Sequence, residues 1–256
     1  VPTASRKKAR ATRIEATPDS QAAERALRRR AGRIVRVLAK EYNAAECALL
    51  HDSALQLLVA TILSAQCTDR RVNMVTPALF ARYPTADDFA DADPDELEEM
   101  IHSTGFFRNK TRSIMGACQR IRDDFAGEVP DNMEDLLTLP GVARKTANVV
   151  LGTWFGKNEG VVVDTHVFRI SHRLGLAPKK NTAHTEQRLM ALVPRREWTN
   201  FSHRVILHGR AVCDARNPKC RECALESMCP RNGVEAPPSE RVRTPGRRRA
   251  GRPASA

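Results

Sequence analysis

Apolar positions along residues 54–213 fall in short blocks divided by Pro, Gly and polar clusters, and the blocks have helical length and spacing. Residues 54–66 form a dense apolar helix with Asp52 or Ser53 as its cap. Residues 77–80, 94–101 and 111–124 read as three more helical segments. Residues 131–137, 144–153, 165–174, 182–193 and 198–213 follow. The nearest strand candidate, residues 160–163, is too short and isolated to build a sheet. No repeat of solenoid period is present. The pattern predicts an all-α fold with a folded core of about 200 residues, room for one large or two small domains.

Charge separates this core from the ends of the chain. The net charge is +12. Residues 1–30 carry nine Lys/Arg against three acids, and residues 231–256 carry seven against two, so residues 31–230 hold only +1. Both ends are poor in large apolar residues, which predicts basic disordered tails that raise affinity for a polyanion. A basic tail can also serve solubility alone. The N-terminal region lacks the apolar stretch of a secretory signal, and no apolar run is long enough to span a bilayer. These features predict a cytosolic protein.

The densest chemistry lies near the C-terminus. Cys213, Cys220, Cys223 and Cys229 are spaced C-x6-C-x2-C-x5-C within 17 residues. Structural zinc sites usually pair their cysteines on two tight turns, and here only Cys220 and Cys223 form such a pair. Wider, unequal gaps suit the larger cubane of a [4Fe–4S] cluster. Zinc and disulfides are the other two readings. The chain has seven cysteines, so pairing all of them would leave one over. Cys47, Cys67 and Cys118 stand apart and read as buried free thiols.

A second constellation lies between two helices, in Leu139-Pro140-Gly141-Val142-Ala143-Arg144-Lys145-Thr146-Ala147. Pro140 stops the first helix, and Gly141 permits a left-handed turn and close approach of a ligand to the backbone. The second helix starts near Arg144. A tight apolar hairpin at a helix N-terminus binds phosphate, the pattern of a helix–hairpin–helix that grips DNA backbone without reading sequence. An ordinary turn between two helices would carry the same Pro-Gly pair. Lys145 faces the positive end of the helix dipole, and a neutral lysine amine is a nucleophile that forms Schiff bases. Downstream, Val163-Asp164-Thr165-His166 places a carboxylate immediately before a helix. Asp164 caps that helix in the simplest reading. Close to Lys145, it would also accept a proton or stabilise developing positive charge.

The hairpin, the Val-Asp-Thr-His run and the four-cysteine loop, with Leu63-Ser64-Ala65-Gln66-Cys67-Thr68-Asp69 upstream, resemble in order the endonuclease III family of DNA glycosylases. The resemblance covers about residues 30–231. It implies a six-helix domain carrying the hairpin (residues 51–157), packed on a second helical domain with the cluster (29–50 and 158–231). Basic tails at 1–28 and 232–256 lie outside the matching region, and DNA would cross the cleft between the domains. The resemblance implies Lys145 as catalytic nucleophile, Asp164 as catalytic carboxylate, and the four cysteines as [4Fe–4S] ligands. Gln66 matches a residue that fills the gap left by a flipped nucleotide. Phe106, in Gly105-Phe106-Phe107-Arg108-Asn109-Lys110, matches a wedge into the opposite strand. That position is often leucine in the family, but phenylalanine is still an apolar wedge. Gly141, Ala143 and Arg144 fall on the DNA-gripping hairpin, where Ala143 replaces a usual glycine.

The implied activity is excision of oxidised or ring-saturated pyrimidines, such as thymine glycol, followed by strand cleavage 3′ to the abasic site through a lysine Schiff base. The implied partner is double-stranded DNA with damaged bases or abasic sites, bound by a monomer in a bacterial cytoplasm, at the nucleoid. Monofunctional mismatch glycosylases share the hairpin and aspartate but generally lack a lysine at the position of Lys145. A non-enzymatic Fe–S DNA-binding protein would need neither Lys145 nor Asp164.

Overall fold

The computed structural model describes residues 18–234, and among them every regular element is helical. The chain runs through α1 (Pro18–Glu41), α2 (Ala54–Leu63), α3 (Asp69–Arg82), α4 (Ala86–Ala90), α5 (Pro94–Ile101) and α6 (Phe107–Phe125). It continues through α7 (Met133–Leu136), α8 (Arg144–Thr153), α9 (Thr165–Arg173), α10 (Thr182–Leu192) and α11 (Trp198–Ala211). Short 3-10 turns at His102–Thr104, Cys220–Glu222 and Glu226–Met228 fill connections. Among the described residues, no helix is long and apolar enough to cross a membrane.

Seven helices start on a side-chain cap. Ser53, Thr68, Thr85, Asp93, Asn132, Asp164 and Asn181 each accept a bond from an N–H two or three residues on. Of the two predicted caps of α2, Ser53 fills the role. Thr85 and Asp88 close a capping box on α4, a helix too short and acidic to stand out in the sequence. α2 stops at Leu63 rather than at residue 66, because the chain turns at Gln66 with φ +54°. α3 extends well before residue 77, leaving Pro77 inside the helix. Val72, Thr76 and Leu79 bury one face of it, which offsets a proline cost of about 3 kcal/mol.

The apolar faces build two cores. One joins α2 to α8 through Leu57, Leu58, Leu63, Leu79, Phe89, Leu97, Ile114, Val150 and their neighbours, with Leu49 at its edge. The other joins α1 and α9–α11 through Ile34, Leu38, Val167, Ile170, Leu189, Phe201 and Val205. α11 touches both sides at glycines. A Cβ on Gly152 of α8 would lie 2.2 Å from Thr199 Oγ1 of α11, and one on Gly209 of α11 would lie 2.5 Å from His166 Nδ1 of α9. Only glycine allows these two close crossings.

The ends of the chain depart from the sequence reading. α1 starts at Pro18, so residues 18–28 are helical rather than part of a tail. Leu27, Ala31, Ile34, Val35 and Leu38 recur at helical spacing and pack in the second core. The surrounding arginines mask that stripe in composition. Arg30 is part of the anchor: its guanidinium donates to Leu174 O, Met228 O and Gly175 O, at 2.5–3.0 Å. At the other end, Asn232 docks on α9 through bonds to Arg173 O and His172 O. The remainder of both expected tails, residues 1–17 and 235–256, lies outside the described residues.

Replacing Arg30 leaves those three carbonyls without their charged donor. Arg30→Met is expected to lower stability by about 3 kcal/mol, read as a lower urea midpoint with unchanged slope.

Candidate active site

Lys145 is exposed in the first turn of α8, and Asp164 caps α9, its Oδ1 accepting from Val167 N–H at 2.7 Å. Far apart in sequence, they line one cleft with about 720 Å³ of open space. Its walls come from both cores: Thr61 and Ser64 of α2, Asp69 of α3, Val149 of α8, and Ser202, His203, Ile206 and Arg210 of α11. Residues 46–49, after α1, complete the rim. Arg210 pairs with Asp69 across the cleft and so bridges the two cores. Burial pushes the His203 imidazole down, against the nearby Glu46 charge, so its ring is neutral at pH 7. Burial does the same to His166 beneath the Asp164 cap.

Beside this cleft, and sharing Thr61 with it, runs a groove bordered by Gln66, Phe106, Asn109, Lys110, Ser113, Gly141 and Thr146. Gln66 (φ +54°) and Phe106 (φ +50°) are both left-handed. That conformation costs a non-glycine residue about 1–2 kcal/mol and clusters at functional sites. Phe106 is 61% exposed, a large apolar ring with no protein to cover it. Gly141 also has positive φ (+76°), and a Cβ there would strike Ser113 Cβ at 2.5 Å. The hairpin is thus seated on α6, where Gly116 makes room for Pro140. α6 and α8, which open this groove, start without side-chain caps, so their first N–H groups are left for an external acceptor.

Not every hairpin residue points to the groove. Ala143 is the exposed N-cap residue of α8. The Arg144 guanidinium is engaged with α10: its Nε donates to both Glu186 carboxylate oxygens at 3.0 and 3.1 Å, and Asn148 donates to the same carboxylate. Gly160 permits this packing, since a Cβ there would lie 2.2 Å from Glu186 Oε1. The side chain of Arg144 therefore ties α8 to α10, and the hairpin offers its backbone.

Cys213, Cys220, Cys223 and Cys229 line one cavity of about 410 Å³ over α9. Among the described residues, no three His, Cys, Asp or Glu side chains are placed to hold a single metal ion. The four thiols ring an open space instead. Arg173, only 6% exposed, donates to Cys213 Sγ at 3.3 Å and to the carbonyls of Asp214 (2.6 Å) and Ala215 (2.7 Å). Leu225 N–H donates to Cys223 Sγ at 3.4 Å. A buried guanidinium and amide donors aimed at sulfur suit thiolate ligands, whose negative charge they offset. The sequence reading missed Arg173, Arg30, Lys110 and the Asp69–Arg210 pair. The two arginines and Lys110 occupy core-facing helical positions, the one signal that could have found them.

Residues 59–195 match the HhH-GPD superfamily base excision DNA repair protein family. The chain is 59% identical to an endonuclease III from Synechocystis sp., over 79% of this chain and 93% of that one. It is 45% identical to an endonuclease III from Bacillus subtilis, over 72% and 84%. The fold is similar to a trapped endonuclease III–DNA covalent intermediate, an estranged-adenine complex. That match has TM-score 0.76 and 41% identity over 80% of this chain and 96% of the other. The chain belongs to the HhH-GPD superfamily of base excision DNA repair proteins and, within it, to the endonuclease III family.

Proposed function

We propose that this chain is a bifunctional DNA glycosylase and AP lyase of base excision repair, with Lys145 as nucleophile and Asp164 as its carboxylate partner. The observation that carries the assignment is the cleft that both side chains line, beside the groove of Gln66, Phe106 and the Gly141 hairpin. Its substrate class is the oxidised pyrimidine in double-stranded DNA, and the enzyme works as a monomer. We assign the two cores to two domains, residues 51–157 and residues 29–50 with 158–231, with the cleft between them and Leu49 reaching across the boundary into the first core.

The chemistry follows from the arrangement. Gln66 and Phe106 enter the duplex, and the damaged nucleotide leaves the stack at a cost of a few kcal/mol. Hairpin N–H groups at Gly141, Ala143 and Arg144 hold phosphate without reading sequence. The Lys145 amine attacks C1′, the glycosidic C–N bond breaks, and the base departs with the electron pair, taking from Asp164 or solvent the proton that the amine gives up. Asp164 stabilises the positive charge on the sugar and accepts the proton that the attacking amine loses. Opening of the sugar ring gives a Schiff base between Lys145 and C1′. The iminium acidifies C2′, its proton passes to water, and the C3′–O bond breaks with the phosphate as leaving group. Water then releases Lys145.

Cys213, Cys220, Cys223 and Cys229 would hold a [4Fe–4S] cluster, which pins the loop that carries Arg216 and Lys219 at the surface. Arg173 beside Cys213 suits thiolate ligands, and the unequal cysteine gaps support that cluster over zinc.

Borohydride reduction on a duplex with thymine glycol should trap a covalent protein–DNA adduct in wild type and none in Lys145→Ala. Asp164→Asn should slow adduct formation on the order of a hundredfold or more. Base release without an adduct in wild type would make the enzyme monofunctional and remove Lys145 from the role. Purified protein should contain iron and acid-labile sulfide in equal amounts and broad visible absorbance, all lost on chelation after oxidation. Zinc in place of iron would overturn the cluster assignment.

A further inference from the structure

Lys110 is a buried cation that the chemistry above does not use. It is 4% exposed, in the first turn of α6. Burial pushes its ammonium down, with the Cys67 thiol nearby acting weakly the other way. The N-terminal end of a helix is also an unfavourable place for positive charge. A methionine would fill the space of the stem with neither penalty. What the charge gains is two carbonyls: Nζ donates to Leu63 O at 2.7 Å and to Thr104 O at 2.9 Å.

Those acceptors belong to two different loops. Leu63 ends α2, three residues before Gln66, and Thr104 stands two residues before Phe106. The backbone N–H of Lys110 also donates to Phe106 O, at 3.1 Å. The remaining bonds in each loop are local, such as Cys67 N–H to Ser64 O and Gly105 N–H to His102 O. Gln66 and Phe106 are both left-handed, and both border the groove that Lys110 lines. One ammonium therefore joins the supports of two strained, outward-pointing residues.

We propose that Lys110 is a positioning residue that locks the Gln66 and Phe106 loops to each other, so that the two side chains enter the duplex as one unit. The inference rests on the reading of Gln66 and Phe106 as the residues that open the stack. Lys110 touches neither the lesion nor the sugar. Its contribution is to opening the helix and not to breaking bonds.

That division makes the proposal testable with the full-length, cluster-loaded protein. Single-turnover base release is measured for Lys110→Met on thymine glycol in a fully paired duplex, and on the same lesion inside an unpaired bubble. The paired substrate should slow on the order of tenfold or more, and the bubble, already open, should change less than about twofold. Equal slowing on both substrates, or none on either, overturns the proposal. Thermal unfolding checks that the variant is folded. If Lys110→Met does not fold, Lys110→Arg, which keeps the charge but misplaces the donors, must give the same split between paired and bubble substrates.

Phe106→Ala separates this inference from its premise. Alone it should slow the paired substrate, and combined with Lys110→Met it should add little, because both remove the same concerted entry. Full additivity would sink the coupling between the loops. No effect of Phe106→Ala on the paired substrate would sink the wedge reading itself, whatever Lys110→Met does.

Discussion

Lys145 and Asp164 share a cleft because α11 touches the helices that carry both of them at glycines. Gly152 brings α8 against Thr199, and Gly209 brings α11 against His166 on α9. Helices with larger residues at a crossing sit 8–10 Å apart, and side chains set the distance. Here the missing Cβ atoms set it. The position of the amine relative to the carboxylate is inherited from these two contacts, and Arg210–Asp69 closes the same seam at the surface. A site split between two cores takes its geometry from the packing and the ion pairs that join them, Arg210–Asp69 and Arg144–Glu186.

Inward-reaching cations, two of them buried and Arg30 half-buried, do much of the remaining positioning. Arg30, Arg173 and Lys110 each spend their donors on backbone carbonyls at the ends of elements. The last carbonyls of a helix lack intrahelical donors, and a buried loop has no water to satisfy its own. A guanidinium reaching several carbonyls at once fixes a chain path that apolar packing alone would leave loose. Arg30 ties α1 to the end of α9 and to the cysteine loop; Arg173 organises that loop from below. Lys110 does the same for the two loops that face the groove. Each is costly where it lies, and each is retained at a place where backbone position matters more than burial energy.

The strain in the molecule is distributed with the same logic. Among the described non-glycine residues with positive φ, Gln66 and Phe106 stand at the groove. The helices that follow the Phe106 loop and the Gly141 hairpin begin without side-chain caps. Local stability is given up where an outside ligand can supply it. Seven of the other helices start on Ser, Thr, Asp or Asn caps, while α11, which follows a 3-10 turn, starts without one.

The helical class, most helix positions, the hairpin turn and the cysteine loop were legible in the sequence. Each is written in residue types with local meaning: apolar spacing, Pro-Gly at a turn, caps before helices, thiols within one short loop. The start of α1 at Pro18 was not legible, because its apolar stripe is thin and set among arginines, and only the second core gives that stripe a partner. Pro77 inside α3 was misread for a related reason, since burial of Val72 and Leu79 overrides a local helix breaker. The commitment of Arg144 to Glu186, the grip of Arg173 on the cysteine loop and the bond of Lys110 to Leu63 depend on residues tens of positions away. Residue type alone decided which groups could donate and accept. Only the tertiary packing decided which of them met, because a buried charge takes the partner that folding brings within reach.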